Sequence, residues 1–180
     1  YKDPDKVLDV TEEISNDVEK LNKITYRFSK IGAKPELSKT NVVEELKKVT
    51  AYFERRLPQT GKSVELKIEG DENACAEINP ELFEWVIENL IKNALDAIEE
   101  RSGIITMQVQ ELRNTIEIEV SDSGKGIDIN RRKDVFRPGY STKKRGWGLG
   151  LSLSKRIIDG YHGGKIFVKS SAPGEGTTFK

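Results

Sequence analysis

The side chains of this sequence best suited to chemistry lie along one predicted helix, around residues 89–98. With about 100° between successive helical residues, Asn89, Asn93 and Asp96 share a narrow polar arc beside an apolar stripe. Two carboxamides and a carboxylate suit a hard cation that also keeps water and phosphate oxygens as ligands. The arc therefore predicts a cation site at the edge of the core, with an ordinary solvated helix edge as the alternative.

Two glycine-rich segments follow that helix. Asp122-Ser-Gly-Lys-Gly126 ends a strand pattern, and its carboxylate is suited to accept a hydrogen bond from an exocyclic amine such as that of adenine; a turn aspartate is the alternative. Gly146-Trp-Gly-Leu-Gly150 opens a helix pattern, where free N–H groups and the helix dipole favour an anion. Its spacing differs from both a Walker A loop and a dinucleotide-binding turn. Each motif is a weak signal by itself.

A long segment without helix or strand pattern, residues 128–148, lies between these motifs. Asp128 and Asp134 are its only acidic residues. A basic lid over phosphate groups is one interpretation, and a solvated charged loop is the other. Its cations are Arg131, Arg132, Lys133, Arg137, Lys143, Lys144 and Arg145.

Capping residues and periodicity predict the elements that position these segments. Asn41 is suited to cap a helix that ends near Arg56, and Asn79 with Pro80 to begin one that ends near Glu100, where Ser102-Gly103 breaks it. A further helix follows Leu149. Adjacent alternating strands mixed with helices indicate an α+β sandwich. The predicted strands cover residues 36–40, 63–69, 74–78, 104–112, 115–121 and 165–171, and a last one begins at 177.

The N-terminal segment is predicted to be one long helix over residues 4–31. Apolar residues follow a heptad, which Asp17 interrupts. A single helix cannot bury such a seam, so we expect partner helices from a second chain, with packing on its own domain as the alternative. The sequence thus divides into residues 1–33, one helix of a bundle, and residues 36–180, a globular domain.

The bulk composition excludes several classes of protein. Thirty basic and thirty acidic residues cancel, so nothing in the overall charge favours nucleic acid or an anionic membrane. No apolar run approaches the roughly 20 residues of a membrane span, and no signal peptide is apparent. One cysteine, Cys75, fits a reducing cytoplasm. The sole histidine, His162, precedes Gly163-Gly164 at a predicted helix end, which favours a structural role over catalysis.

Four segments in order resemble the nucleotide-binding boxes of the GHKL ATPase superfamily, and more narrowly the catalytic ATP-binding domain of a bacterial sensor histidine kinase. The resemblance covers residues 36–180 and implies a Bergerat fold, a two-layer α/β sandwich with a mixed sheet. Each box is weak, but four in order are specific. They are Asn89-Leu-Ile-Lys-Asn-Ala-Leu-Asp-Ala, Asp122-Ser-Gly-Lys-Gly, Phe136-Arg-Pro-Gly-Tyr-Ser-Thr-Lys-Lys and Gly146-Trp-Gly-Leu-Gly-Leu.

The resemblance implies that ATP and Mg²⁺ bind here. Asn93 would ligate Mg²⁺, Asn89 would lie near the metal or the phosphates, and Asp122 would take the adenine amino group. With Lys143, the two asparagines form the implied catalytic set, and Thr178 would line the adenine side. The full set of implied nucleotide-binding residues is Asn89, Lys92, Asn93, Asp96, Asp122, Gly124, Gly126, Ile127, Tyr140, Ser141, Thr142, Lys143, Gly146, Gly148, Leu149, Gly150, Leu151 and Thr178.

The same resemblance implies partners for the domain. Residues 1–33 are similar to the second helix of the dimerisation and phosphoacceptor hairpin, and the first hairpin helix, with its histidine, is missing from this sequence. The expected function is transfer of the ATP γ-phosphoryl group to a histidine outside this chain. A response regulator and a homodimer formed through the N-terminal helix are also implied. We expect a cytoplasmic protein or the cytoplasmic part of a membrane-bound sensor.

Three alternatives stay open from the sequence. GHKL hydrolases of the gyrase, chaperone or mismatch-repair kind usually place a glutamate one turn before the metal-binding asparagine. Asn89 holds that position here, and an amide cannot act as a base. A protein-serine kinase of the anti-sigma type is harder to separate. A nucleotide-binding regulatory scaffold without activity is the third alternative.

Overall fold

The computed structural model describes residues 35–143 and 147–180. The predicted helix over residues 4–31 and the predicted site residue Gly146 lie outside this range. The chain divides into two units, Tyr1–Pro35 and Glu36–Lys180. The second unit carries all the elements described below.

The second unit contains a five-stranded mixed sheet and a small two-stranded sheet. The large sheet has the strand order β2-β4-β5-β7-β6, in which β2 and β4 run parallel and the other neighbours antiparallel. The small sheet pairs β1 with β3. The predicted α+β class is confirmed by this mixed sheet and its helices. The strands are β1 Ser38–Asn41, β2 Ser63–Gly70, β3 Cys75–Ile78, β4 Ser102–Glu111, β5 Ile116–Asp122, β6 Val168–Ser171 and β7 Thr177–Phe179.

Among the described residues, three α-helices accompany the sheet. Helix α1 covers Val42–Glu54, α2 covers Pro80–Ala97, and α3 covers Gly150–Lys155 before it continues as a π-helical segment, Arg156–Tyr161. The predicted caps are present: the Asn41 side chain accepts from the N–H of Val43, and that of Asn79 accepts from the N–H of Leu82. These caps fix where the two long helices begin.

A single hydrophobic core joins the helices to the large sheet. Helix α1 buries Leu46 and α2 buries Ile87 and Ile91, while Ile105 and Met107 of β4 are fully buried. These strand residues are two apart and so share one face of the sheet. The apolar stripe of α2 is thereby held against the sheet, and its polar arc lies at the edge of the core.

Some predicted boundaries were wrong. Helix α2 ends at Ala97 rather than near Glu100, because Ile98 adopts an extended conformation and the Lys62 ammonium takes the carbonyls of Leu95 and Ile98. Ser102, predicted to break that helix, is the first residue of β4.

Two further corrections concern segments predicted as a strand and as irregular chain. The strand predicted to begin at 165 begins at Val168, and the N–H of Ile166 before it donates to the Asp159 carboxylate. Residues 128–148 are not wholly irregular, since two short 3₁₀ turns occur in them, Ile129–Arg131 and Asp134–Phe136.

Candidate functional site

The polar arc predicted for residues 89–96 lies on α2 beside its buried stripe. Leu90, Ile91 and Ala94 are buried, whereas Asn89 and Asn93 are half-buried and Asp96 is exposed. This placement leaves the two carboxamides partly shielded from water but accessible from one side. A half-buried polar group interacts more strongly than an exposed one, because less water competes for it.

Asn93 and Asp96 converge on one cationic group. The Lys143 ammonium donates to Asn93 Oδ1 at 2.9 Å and to Asp96 Oδ2 at 2.5 Å. One amide oxygen and one carboxylate oxygen, separated by a helical turn, therefore reach the same point in space. Mg²⁺ takes one or two such protein ligands and completes its shell with water and phosphate oxygens, so this donor pair fits the implied metal.

The described residues contain no cluster of several strong metal ligands. Within residues 35–143 and 147–180, no group of three or more His, Cys, Asp or Glu side chains is placed to hold a metal ion. A metal at Asn93 and Asp96 would accordingly depend on phosphate and water for most of its ligands. This requirement couples metal binding to nucleotide binding.

Asn89 has neighbours of a different kind. Its Nδ2 donates to the hydroxyl of Ser154 on α3 at 3.0 Å, and Ser154 is only 2% exposed. The backbone of Gly150 lies directly against the same carboxamide, so that a Cβ at position 150 would collide with it. The Asn89 carboxamide thus contacts the first turn of α3 at Gly150 and at Ser154.

The predicted adenine-binding aspartate, Asp122, is the last residue of β5, and the turn that follows it is hydrogen-bonded to α2. Asp122 Oδ1 accepts from the N–H of Gly124 at 2.8 Å, and the N–H of Lys125 donates to the carbonyl of Ala97. Burial raises the pKa of the Asp122 carboxyl, and the N–H groups of Gly124 and Thr177 partly offset this rise. A partly buried acceptor is thereby presented beside the C-terminal end of α2.

Gly124 and Gly126 are needed for close backbone packing in this turn. A Cβ on Gly124 would meet the backbone of Ala97, and Gly126 has a φ of 74° and lies against the carbonyl of Ala172. Ile127 follows, with its N–H donating to the Ser171 hydroxyl at 2.7 Å. The turn of residues 122–127 is therefore fixed on one side by α2 and on the other by the end of β6.

Thr178 is not brought beside Asp122. It pairs with Ser121 across β5 and β7, and the two hydroxyl oxygens are 3.0 Å apart. Because consecutive strand residues point to opposite faces of a sheet, Thr178 and Ser121 lie on the face opposite to Asp122. The ladder partner of Asp122 is Thr177, whose backbone N–H donates to the Asp122 carboxylate.

The segment that carries Lys143 is closed at its base. The N–H of Gly139 donates to the carbonyl of Gly148 at 3.0 Å, and Gly148 has a φ of 64°, which glycine adopts without strain. Tyr140 is half-buried, Ser141 and Thr142 are exposed, and the N–H of Lys143 donates to the Ser141 hydroxyl. Leu149 and Leu151 are half-buried at the start of α3.

Lys92, another residue predicted to bind the nucleotide, has its neighbours elsewhere. Lys92 is exposed on α2, where its ammonium donates to Glu88 at 3.1 Å and lies 6.0 Å from the centre of the Phe53 ring. Its neighbours thus belong to α1 and α2 rather than to the lid or the turn of residues 122–127.

His162 lies where a structural histidine was predicted, directly after the π-helical segment that follows α3. Its Nε2 accepts from the backbone N–H of Asn79, the residue that caps α2, at 3.1 Å. Burial lowers the pKa of His162 to about 4, so the imidazole is neutral at pH 7. The contact joins the end of one helical segment to the beginning of another.

Two serines of the site were not identified from the sequence. Ser154 binds Asn89, and the buried hydroxyl of Ser171 lies 2.8 Å from the carbonyl of Gly176 while it holds Ile127. A usable signal existed for Ser154, which occupies the apolar face of an amphipathic helix one turn after Gly150. No local pattern distinguishes Ser171 from any other serine that ends a strand.

Comparison with known proteins gives consistent matches. Residues 78–180 match the family described as "Histidine kinase-, DNA gyrase B-, and HSP90-like ATPase". The alginate biosynthesis sensor protein KinB of Pseudomonas aeruginosa is 34% identical over 184 residues, which cover 99% of this chain and 30% of that protein. The sensor histidine kinase ZraS of Klebsiella oxytoca is 40% identical over 102 residues, which cover 56% of this chain and 21% of ZraS.

A solved structure agrees with these matches. A nucleotide-free form of the catalytic domain of histidine kinase ThkA is 28% identical with a TM-score of 0.70, and the match covers 81% of this chain and 93% of that domain. The chain spans less than a third of the length of the curated relatives it matches. Within the described part of the chain, no helix combines the length and hydropathy that a membrane span requires.

Proposed function

Because the chain belongs to the family of histidine kinase-, DNA gyrase B- and HSP90-like ATPases, we propose that residues 36–180 are the ATP-binding catalytic domain of a sensor histidine kinase. The reaction is transfer of the γ-phosphoryl group of ATP to a histidine outside this chain. The observation that carries the proposal is the convergence of Asn93 and Asp96 on one cation beside the turn that holds Asp122.

In this proposal, different polar residues of the site bind different parts of the nucleotide. Asp122 accepts a hydrogen bond from the adenine amino group, and the backbone of Thr177 lies beside this carboxylate. Asn93 ligates Mg²⁺ and Asp96 supports the ion, which when bound offsets the charge of the triphosphate and orients its γ-phosphate. Lys143 exchanges its present partners for phosphate oxygens when the nucleotide enters.

The neighbours of Asn89 favour transfer over hydrolysis. A hydrolase of this family needs a base for water one turn before the metal ligand. The Asn89 amide cannot act as a base, its Nδ2 already donates to the Ser154 hydroxyl, and its Oδ1 lies beside Gly150. No water molecule would be activated from this position. We therefore expect slow turnover of ATP unless a phosphoacceptor is present.

The proposed partners follow from the family and not from any chain in this structure. We propose that residues 1–33 form one helix of a dimeric bundle that carries the phosphoacceptor histidine on another helix. A response regulator would then receive the phosphoryl group. The cytoplasm, where ATP is available and Cys75 stays reduced, is the proposed compartment.

Phosphotransfer to a separate hairpin tests the proposal. The chain is mixed with Mg²⁺-ATP and a phosphoacceptor helical hairpin from a matching histidine kinase, and acid-labile phosphohistidine is measured. We expect phosphohistidine on the hairpin that disappears when EDTA is added or when the hairpin histidine is replaced by glutamine.

Two results would contradict the proposal. If the chain binds ATP but produces no phosphohistidine on a cognate hairpin, it is not a kinase of this kind. If it hydrolyses ATP rapidly and continuously without any acceptor, it belongs among the hydrolases of the family.

A further inference from the structure

We propose that Asn89 and Ser154 form a clamp that positions helix α3 against α2, so that Asn89 acts as a positioning residue and not through contact with the nucleotide. The inference rests on the proposed nucleotide function and deepens it. It assigns a role to Ser154 that no motif predicts, and it changes the role expected for Asn89.

The geometry of the clamp has two independent parts. The first is the hydrogen bond from Asn89 Nδ2 to Ser154 Oγ at 3.0 Å, which joins residues 65 positions apart in the sequence. The second is the close approach of Gly150 to the Asn89 carboxamide, since a Cβ at position 150 would lie 2.2 Å from Asn89 Oδ1 and would displace it. The amide therefore contacts α3 at its first residue and again one turn later.

Burial makes the hydroxyl of Ser154 a strong anchor. Ser154 is 2% exposed and neighbours the fully buried Ile157, so loss of its partner would not be compensated by bulk water. A buried polar group left without a partner costs more than the hydrogen bond itself gains. The clamp is accordingly a fixed contact and not one that exchanges with solvent.

The clamp matters because of what α3 carries. Gly148 and Leu149 directly precede it, and they are among the residues proposed to lie near the phosphates. On the other side of residues 144–146, Lys143 is held by Asn93 on α2. Helix α2 thus contacts the chain on both sides of residues 144–146. Asn93 binds Lys143 before them, and Asn89 contacts Gly150 and Ser154 after them.

This arrangement predicts which part of the nucleotide depends on the clamp. The adenine side is built from β5 and β7, through Asp122 and its ladder partner Thr177, and not from α3. The phosphate side includes the turn before α3. Loosening of α3 should therefore weaken the binding of a triphosphate while the binding of adenosine alone stays unchanged.

The experiment is a double-mutant cycle in the full 180-residue chain with Asn89→Ala, Ser154→Ala and both together. Ser152→Ala is the matched control, because the Ser152 hydroxyl bonds only within its own segment, to the Leu149 carbonyl at 2.9 Å. For each variant we measure the affinity for a non-hydrolysable ATP analogue with Mg²⁺, the affinity for adenosine, and amide hydrogen exchange over residues 149–154.

We expect each single variant to lower the affinity for the analogue about 2- to 10-fold, as for loss of one hydrogen bond, and to leave adenosine affinity unchanged. The double variant should lose no more than the stronger single variant, because both remove the same contact. Hydrogen exchange over residues 149–154 should rise in all three, and Ser152→Ala should behave like the unsubstituted chain.

Several outcomes would overturn the clamp. They are additive losses in the double variant, no effect of Ser154→Ala, or equal losses for the analogue and for adenosine. If the unsubstituted chain binds no analogue, the proposed function fails, and hydrogen exchange alone decides the clamp: a coupled rise over residues 149–154 supports it and independent effects refute it.

Discussion

Two asparagines one turn apart on the same helix meet opposite environments. Asn93 lies beside the exposed, charged side chains of Lys143 and Asp96, whose side chains are 41% and 56% accessible to solvent. Asn89 lies against the neutral, buried hydroxyl of Ser154 and the backbone of Gly150. The residue type and helix are the same, so the difference arises mainly from the segments packed against α2, which supply Lys143 to one asparagine and Ser154 to the other.

This difference separates exchangeable contacts from permanent ones. The partners of Asn93 are in contact with water, where an ion pair is worth little and can be replaced by a metal ion or a phosphate. The partners of Asn89 are shielded, and replacing them would leave a buried polar group unsatisfied. A binding site of this kind needs both, since ligands must enter at one place while the walls stay fixed at the other.

Substitution of the two asparagines should give the largest contrast. Asn93→Ala is expected to lower the affinity for the Mg²⁺-bound ATP analogue about 10- to 100-fold, as for loss of a contact to a charged group, and to remove the dependence on Mg²⁺. Asn89→Ala should keep that dependence. Isothermal titration with Mg²⁺ and with EDTA measures both, and an Asn93→Ala variant that still requires Mg²⁺ would contradict the assigned metal ligand.

Filling the space beside Asn89 should be the next largest effect. Gly150→Ala is expected to lower the free energy of unfolding by about 1–3 kcal/mol, because the new methyl group displaces the Asn89 carboxamide and leaves the buried Ser154 hydroxyl without this partner. Gly160→Ala in the following π-helical segment is the control, since nothing lies within 4 Å of the position its Cβ would take. Urea unfolding of the two variants compares them, and equal stability would show that α3 does not pack closely on α2.

The buried hydrogen bond between His162 and the N–H of Asn79, which caps α2, tests whether burial makes a contact of this helix permanent. The folded-state pKa is about 4, whereas an unfolded chain has a histidine pKa near 6.5, so the unfolded state binds more protons between these values. The neutral His162 therefore makes its full contribution to the free energy of unfolding above pH 6.5, and this contribution is lost as the pH falls toward 4. Urea unfolding between pH 7 and 4 should show a smaller loss in His162→Gln than in the unsubstituted chain; parallel profiles would refute the assignment.

The smallest effect is expected on the exposed side. Asp96→Asn should change the free energy of unfolding by less than about 1 kcal/mol, because it breaks only a solvent-exposed ion pair. That change should disappear at high salt, which screens exposed charges. The effect of Ser154→Ala, a neutral buried contact, should persist. Urea unfolding at low and high salt measures both changes. If the effect of Asp96→Asn persists at high salt, the ion pair between Lys143 and Asp96 is a fixed contact and not an exchangeable one.

Short-range signals in the sequence were dependable. The cap at Asn79 and the proline after it located the start of α2, because the side chain bonds an N–H only three residues away. The 3.6-residue period placed Asn89 and Asn93 beside the buried stripe. The alternation in residues 116–120 located a strand for the same reason, since strand and helix periods are encoded within a few residues.

Signals that depend on distant segments were not dependable. The end of α2 was placed three residues too late, because Lys62, more than 30 positions earlier in the chain, binds the carbonyls that end it. The start of β6 was placed three residues too early, and the N–H of Ile166 before the strand donates to the Asp159 carboxylate. At both boundaries a side chain from another element binds a backbone group.

The sequence alone determined that a row of amides and a carboxylate lies on one helix, next to the core and followed by two glycine-rich segments. It could not determine what each side chain of that row contacts, since the partners of Asn93 and Asn89 lie 50 and 65 positions farther along the chain. Helical periodicity is a local property and says which residues share a face. Only packing decides which faces meet, and here it directs one asparagine toward an exchangeable cation and encloses the other in a buried contact.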